Sequence, residues 1–181
     1  MSGRALHFRN ATRADAIAVA TLHAESWRLH YRGAYRDAYL DGDVVADRLR
    51  VWEERLSDPV PNQLVVLAEE DDASIGFACV YGRHDAAWGS LLDNLHVRAD
   101  RQRSGIGVAL VAEVAAWCRA HHGDCGLYLW VLAENVRAQR FYQRLGASDE
   151  GGEWSEPPGG GRIHGRRYAW KVVPELTRRS S

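Results

Sequence analysis

The stretch RQRSGIGVALVAEVAAWCRA, residues 101–120, decides how this chain reads. It opens with two glycines, Gly105 and Gly107, among charged residues, then turns apolar and rich in alanine. A glycine inside a helix costs about 1 kcal/mol relative to alanine. Two of them at the start of a long helical pattern mark a place where bare backbone is wanted. The first N–H groups of a helix have no partner within it, and that end carries a partial positive charge. A phosphate satisfies both, and glycine lets the backbone come close to it. The expectation is a phosphate-bearing cofactor at this turn. The alternative is that the glycines serve only to pack a helix against a sheet.

Outward from the turn, the chain alternates strand and helix signals. Upstream, residues 90–97 read as a strand. So do residues 63–69 and 74–81, an acidic turn joining these two into a hairpin. Residues 5–12 read as a short strand that ends at a helix cap, with Asp15 three residues after Thr12 in the manner of a capping box. Ile17, Ala20, Ala24, Trp27 and Tyr31 recur at helical spacing, and Gly33 ends that helix. A second helix spans 44–56, with Val45, Leu49, Trp52 and Leu56 on one face. Downstream, 126–132 reads as a strand and 134–145 as a helix ended by Gly146. Residues 151–165 are rich in glycine and proline and read as irregular. Residues 166–173 close the chain as a strand. Hairpins first and strand–helix alternation later predict an α/β fold: a mixed sheet with helices on both faces, in one domain over 1–181.

Composition narrows the function. Net charge is −1, so nothing draws the chain in bulk to nucleic acid or to an anionic membrane. The arginines Arg162, Arg166, Arg167, Arg178 and Arg179 read as a solvated edge strand and tail. No apolar run reaches the length of a bilayer span, and the first dozen residues lack the apolar core of a signal peptide. Cys79, Cys118 and Cys125 form neither a disulfide framework nor a CxxC pair. A reduced, cytoplasmic protein without a structural metal is expected. An exposed edge strand leaves room for a homodimer.

The turn lacks the third glycine of the dinucleotide fingerprint and the GKS or GKT of a P-loop. What stands there is Gln102-Arg103-Ser104-Gly105-Ile106-Gly107. It resembles the Q/R-x-x-G-x-G/A signature of the GNAT superfamily of N-acetyltransferases. Leu92-Asp93-Asn94-Leu95-His96-Val97 is similar to that family's fourth strand, which carries a bulge. Residues 135–146, from Asn135 through Phe141 and Tyr142 to Gly146, resemble the second signature, N-x-x-A-x-x-F-Y-x-x-L-G. His23, Trp27, Arg28, Tyr31, Arg32 and Gly33 are similar to the first helix and loop of many bacterial members. The chain departs from the pattern at the glycine-rich insert near Gly159 and at Ala147, where the family more often has Phe. The resemblance implies the acyl-CoA N-acyltransferase fold: a twisted, mostly antiparallel sheet, splayed between the fourth and fifth strands.

It also implies acetyl-CoA as cofactor and transfer of the acetyl group to an amine in a ternary complex. By resemblance, the backbone of Gln102, Arg103, Ser104, Gly105, Ile106, Gly107 and Val108 rings the pyrophosphate. Leu95, His96 and Val97 pair with the pantetheine arm, the Leu95 amide reaching the thioester oxygen. Asn135 touches the pantetheine, caps its helix, or does both. Tyr142 is the general acid for the leaving thiolate. The glutamate that many members carry on the fourth strand is absent. Asp93 and His96 are the candidate bases, with His23 a further one. Trp27, Tyr31, Tyr35 and Trp154 are expected at the acceptor, with Glu25 or Asp37 holding its cation. The acceptor class that follows is a small-molecule amine: an aminoglycoside-like drug, a polyamine or an amino acid. A protein N-terminus or lysine, or a non-catalytic acyl-CoA-binding regulatory role, are the alternatives.

Overall fold

In a computed structural model that describes residues 6–123 and 125–176, seven strands form one sheet in the order β1-β2-β3-β4-β5-β7-β6. The strands are β1 (Leu6–Asn10), β2 (Gln63–Glu70), β3 (Ala73–Asp85), β4 (Gly89–Val97), β5 (Leu127–Leu132), β6 (Ser148–Ser155) and β7 (Ile163–Trp170). The helices are α1 (Ala16–His30), α2 (Asp37–Asp41), α3 (Val44–Ser57), α4 (Ile106–His122) and α5 (Val136–Arg144). Every pairing is antiparallel except β4 with β5. The mixed sheet expected from the element order is therefore present. Ala5, Arg178 and Arg179 lie outside the described residues.

Alternation along β2 and β3 explains why helices cover both faces. Side chains two apart point the same way on a strand. Leu64, Val66, Ala68, Ala78 and Val80 join the core built on α4, with Leu110, Val111 and Val114. Val65, Leu67, Phe77 and Cys79 join the core built on α1 and α3, with Val19, Trp52 and Leu56. A third cluster, around Trp27, Tyr35, Leu40 and Val44, closes the space between α1, α2 and α3.

Four expectations are corrected. Ile17 is 68% exposed, whereas Ala20, Ala24 and Trp27 of the expected stripe are buried, together with Ala16, Val19, Leu22 and His23. The stripe begins at Ala16 and Val19 rather than at Ile17. On α3 the buried face runs through Val44, Arg48, Trp52 and Leu56, and Val45 faces outward. Residues 151–165 are irregular only over 156–162: β6 pairs with β7 from Ser148 to Ser155, and β7 begins at Ile163. A solvated edge strand needs no apolar alternation, only backbone partners, and its glycines fit a register shift between Asp149 and Gly152. The short helix α2 was not anticipated, and β7 starts at Ile163 rather than at 166.

The capping box is present, with the Thr12 N–H donating to Asp15 Oδ2 at 2.7 Å. Asp15 also accepts from Arg9 Nη1 and Nη2 at 2.9 and 2.8 Å, and Arg9 Nη2 reaches Glu69 Oε1 at 2.7 Å. The Arg9 guanidinium holds both carboxyls below the usual carboxylate range. A carboxyl whose folded pKa is depressed stabilises above its unfolded pKa, about 4, and loses that stabilisation as pH falls. Arg9→Gln is expected to flatten the fall in melting temperature between pH 6 and pH 3. Melting curves across that range check it; an unchanged slope would deny the linkage.

Candidate active site

β4 and β5 are paired only at Ser90↔Leu127 and Leu91↔Tyr128. Beyond that point the strands part, and the edge that β4 turns to β5 has no strand partner. Backbone polar groups on such an edge require partners. A cleft of about 930 Å³ opens there, bordered by Leu92, Leu95, His96 and Val97 on one side and Leu129, Trp130 and Val131 on the other. Asp93 is the extra residue of the bulge in β4: Cys79 pairs with Asn94, and Val80 with Leu92.

The glycine turn closes one end of the cleft. Arg103 and Gly105 adopt left-handed backbone, φ 65° and 87°, and Gly105 is the N-cap of α4. The N–H groups of Ile106, Gly107 and Val108 thus begin a helix with no acceptor inside it. Arg103, Gly105, Gly107 and Val108 border the cleft. Ile106 points into the core instead, and the Ser104 hydroxyl donates to Arg101 O at 2.6 Å. Gln102 braces the turn by donating Nε2–H to Val97 O at 3.2 Å. Arg101, which forms an ion pair with Glu70, keeps a buried Nε without a hydrogen-bond partner.

The second signature forms the opposite wall. Asn135 caps α5, its Oδ1 accepting from the Ala138 N–H at 3.1 Å, and it also borders the cleft. Asn135→Ala is expected to cost about 1 kcal/mol. A melting temperature lowered by about 2–4 °C would report it. Tyr142 is buried against Phe141 and Trp170 and borders the cleft; burial pushes its hydroxyl pKa well up, so it stays protonated. Arg137, Arg140 and Arg144 also border the cleft from α5. Their spacing of three and four, which places them on one helix face, is the signal the sequence carries for them.

The candidate bases stand as follows. Asp93 accepts from Arg55 Nη1 at 2.7 Å and from Asn94 Nδ2 at 2.5 Å. His96 Nδ1 lies 2.8 Å from Ser26 Oγ, and its ring stacks on His23 at 4.7 Å. Burial lowers the His96 pKa to about 3, so the ring is neutral at neutral pH. His23 Nδ1 accepts from the Trp52 indole N–H at 2.9 Å. An indole N–H only donates, so the neutral His23 ring carries its proton on Nε2. Burial holds it neutral as well. That removes His23 as a base.

The other end of the cleft is aromatic. Trp27 and Tyr31 stack at 5.6 Å, Tyr35 meets both edge-on at 4.9 and 5.0 Å, and all three border the cleft. The expected cation holders do not. Glu25 is exposed and borders a separate shallow depression with Leu29 and Asp100. Asp37 pairs with Arg32. Trp154 is 60% exposed on β6, stacked on His164. Arg48 and Arg55 line this end instead, unanticipated. An arginine inside an apolar helical stripe leaves no separate mark in the sequence.

The geometry fits coenzyme A. A helix N-terminus with free N–H groups, an orphaned arginine donor and three cleft-facing arginines suit phosphates. An unpaired strand edge suits the amides of a pantetheine arm. No curated protein matches the chain. Among solved structures, a GNAT acetyltransferase of Desulfovibrio desulfuricans is 24% identical, with TM-score 0.68, covering 93% of this chain and 99% of its own. The PaiA N-acetyltransferase of Thermoplasma acidophilum, in complex with coenzyme A, is 18% identical, with TM-score 0.66, covering 92% and 99%. YncA of Salmonella typhimurium, with acetyl-CoA, is 17% identical, with TM-score 0.67, covering 98% and 99%. These likenesses show the same fold. The acetyltransferase (GNAT) family model matches residues 20–147, from α1 to the end of the second signature, and the chain belongs to that family.

Proposed function

We propose that the chain transfers the acetyl group of acetyl-CoA to the primary amine of a small molecule, by direct attack in a ternary complex. One observation carries this reading: a single cleft joins the α4 turn and the open β4 edge to an aromatic pocket, with Tyr142 on its wall. Bound acetyl-CoA would supply the activated acyl group. The first N–H groups of α4, with Arg103, Arg137, Arg140 and Arg144, hold the phosphates. The free edge of β4 holds the pantetheine, and the Leu95 N–H polarises the thioester oxygen. Tyr142 donates its proton to the departing thiolate.

Asp93 is the one carboxylate that borders the cleft among the described residues. It receives the ammonium of the acceptor and passes its proton to solvent. Asp93→Asn is expected to lower kcat/KM about 10-fold and to move the pH profile to higher pH. A variant with unchanged kcat/KM would remove that role. His96 stays neutral above its depressed pKa of about 3. The pH–rate profile is therefore expected to lack a limb near 6.5, and a histidine-like limb there would contradict this reading.

Loop residues 156–162 pack beside α2, outside the lining of the cleft. An added Cβ on Gly159 would lie 2.6 Å from Tyr39 Cγ, and one on Gly160 3.3 Å from Arg36 Cζ. The loop thus rests on α2. Calorimetric titration with acetyl-CoA, followed by thiol release over a panel of primary amines, tests the proposal. Binding with turnover on one amine class supports it. Binding without turnover points to a regulatory module, and no binding overturns the reading of the glycine turn.

A further inference from the structure

We propose that the acceptor carries a carboxylate beside its amine, as an amino acid does, and that Arg48 binds it. The inference rests on reading the cleft as an acetyltransferase site. Arg48 sits on the inward face of α3 between Val44 and Trp52 and is 8% exposed. Its guanidinium lies over the Trp27 ring at 4.4 Å. Nη2 donates to Asp47 Oδ2 at 2.7 Å, and Asp47 is also held by Tyr39 and Arg50. Nε is buried with no hydrogen-bond partner. Arginine does not shed its proton, and a buried donor without an acceptor is destabilising. Arg48 borders the cleft, so a ligand there meets a guanidinium whose donors are not all satisfied.

The surroundings leave the carboxylate to the ligand. Asp47 gives Arg48 a counter-charge at Nη2 but does not border the cleft, and among the groups that do, burial keeps Tyr35 protonated and His23 neutral. Asp93 is engaged by Arg55. The acceptor end thus sets two guanidiniums, Arg48 and Arg55, against one carboxylate, Asp93. A polyamine or an aminoglycoside would bring positive charge to positive charge. A zwitterion is complementary: its ammonium faces Asp93, and its carboxylate matches the planar fork of Arg48. A carboxylate in a half-buried aromatic pocket beside a fixed guanidinium is recognised far better than in water.

The test uses matched acceptors that share a side chain: the amino acid, its amide, its decarboxylated amine and its aminophosphonate. With saturating acetyl-CoA, the amino acid is expected to exceed the amide and the amine in kcat/KM by at least about 30-fold. Arg48→Gln should abolish that advantage, and Arg48→Lys should keep part of it. If Arg48→Gln fails to fold, the wild-type ranking decides alone. A second readout needs no turnover: calorimetric titration of N-acetyl amino acids and N-acetyl amines into protein loaded with coenzyme A. The acid should bind at least about 30-fold more tightly, and only with Arg48 intact. A preference for uncharged amines or polyamines overturns the inference while the proposed activity stands. Arg48-dependent binding of the N-acetyl acid without turnover of any amine supports the inference and overturns the activity. A carboxylate preference that survives Arg48→Gln removes Arg48, and a preference for the aminophosphonate overturns the carboxylate assignment.

Discussion

Tyr142→Phe is expected to lower kcat about 100-fold while leaving the affinity for acetyl-CoA within about twofold. The ring is buried against Phe141 and Trp170, and phenylalanine keeps that packing. The substitution therefore removes one hydroxyl and little else. A positioned acid contributes typically 10²–10⁴-fold, and 100-fold corresponds to about 2.7 kcal/mol of transition-state stabilisation. Because burial raises its pKa, the Tyr142 phenol keeps its proton through the working range. The wild type should then show no alkaline limb between pH 6 and pH 9 that Tyr142→Phe abolishes. Steady-state kinetics with a calorimetric binding constant make the check. Turnover within threefold of wild type would exclude the general-acid role. A matching loss of cofactor affinity would make Tyr142 a binding residue instead.

Gly89→Ala is expected to cost about 3–4 kcal/mol, a fall in melting temperature of about 10 °C. Gly89 has φ +86°, and an added Cβ would stand 2.2 Å from the Gly126 carbonyl oxygen. Across the same gap, a Cβ on Gly126 would stand 2.6 Å from Trp88 O, and Ser90 N–H donates to Gly126 O at 2.9 Å. These are backbone atoms, which cannot swing aside. Left-handed strain contributes roughly 1–2 kcal/mol and forced overpacking about 1–3. Gly33→Ala is the control, because Gly33 has φ +82° and open space around its missing Cβ. It should lose only the strain, roughly 1–2 kcal/mol. Equal losses in the two variants would show that the close approach is unimportant. Gly89 and Gly126 meet where β4 and β5 are still paired, just before they part. Pushing the strands apart there should also weaken acetyl-CoA binding, which titration of Gly89→Ala would reveal.

Local chemistry made the cofactor half of the cleft legible. The glycine turn, the strand before it and the helix opened by Asn135 each carry their signal within about a dozen consecutive residues. Backbone conformation and capping are decided at that range, so Gly105, Asn135 and the mixed sheet followed from the residue order alone. Arg137, Arg140 and Arg144, one helix turn apart, look in the sequence like any solvated helix face.

The acceptor half is built differently. Trp27, Arg48, Arg55 and Asp93 come from α1, α3 and β4, and they meet only because two helices cover one face of the sheet. Which way each side chain faces depends on helix phase, and on α1 Glu25 faces away from the buried row of Ala20, Ala24 and Trp27. Glu25 thus stands outside the cleft and Arg48 borders it, which is why the proposed acceptor carries a carboxylate beside its amine. Edge strand β6 escaped notice for a related reason: with little to bury, it is defined by its hydrogen bonds to β7. Residues that touch their sequence neighbours announced the cofactor, whereas the face each helix turns inward, set by packing across the whole sheet, decided which side chains line the other end of the cleft.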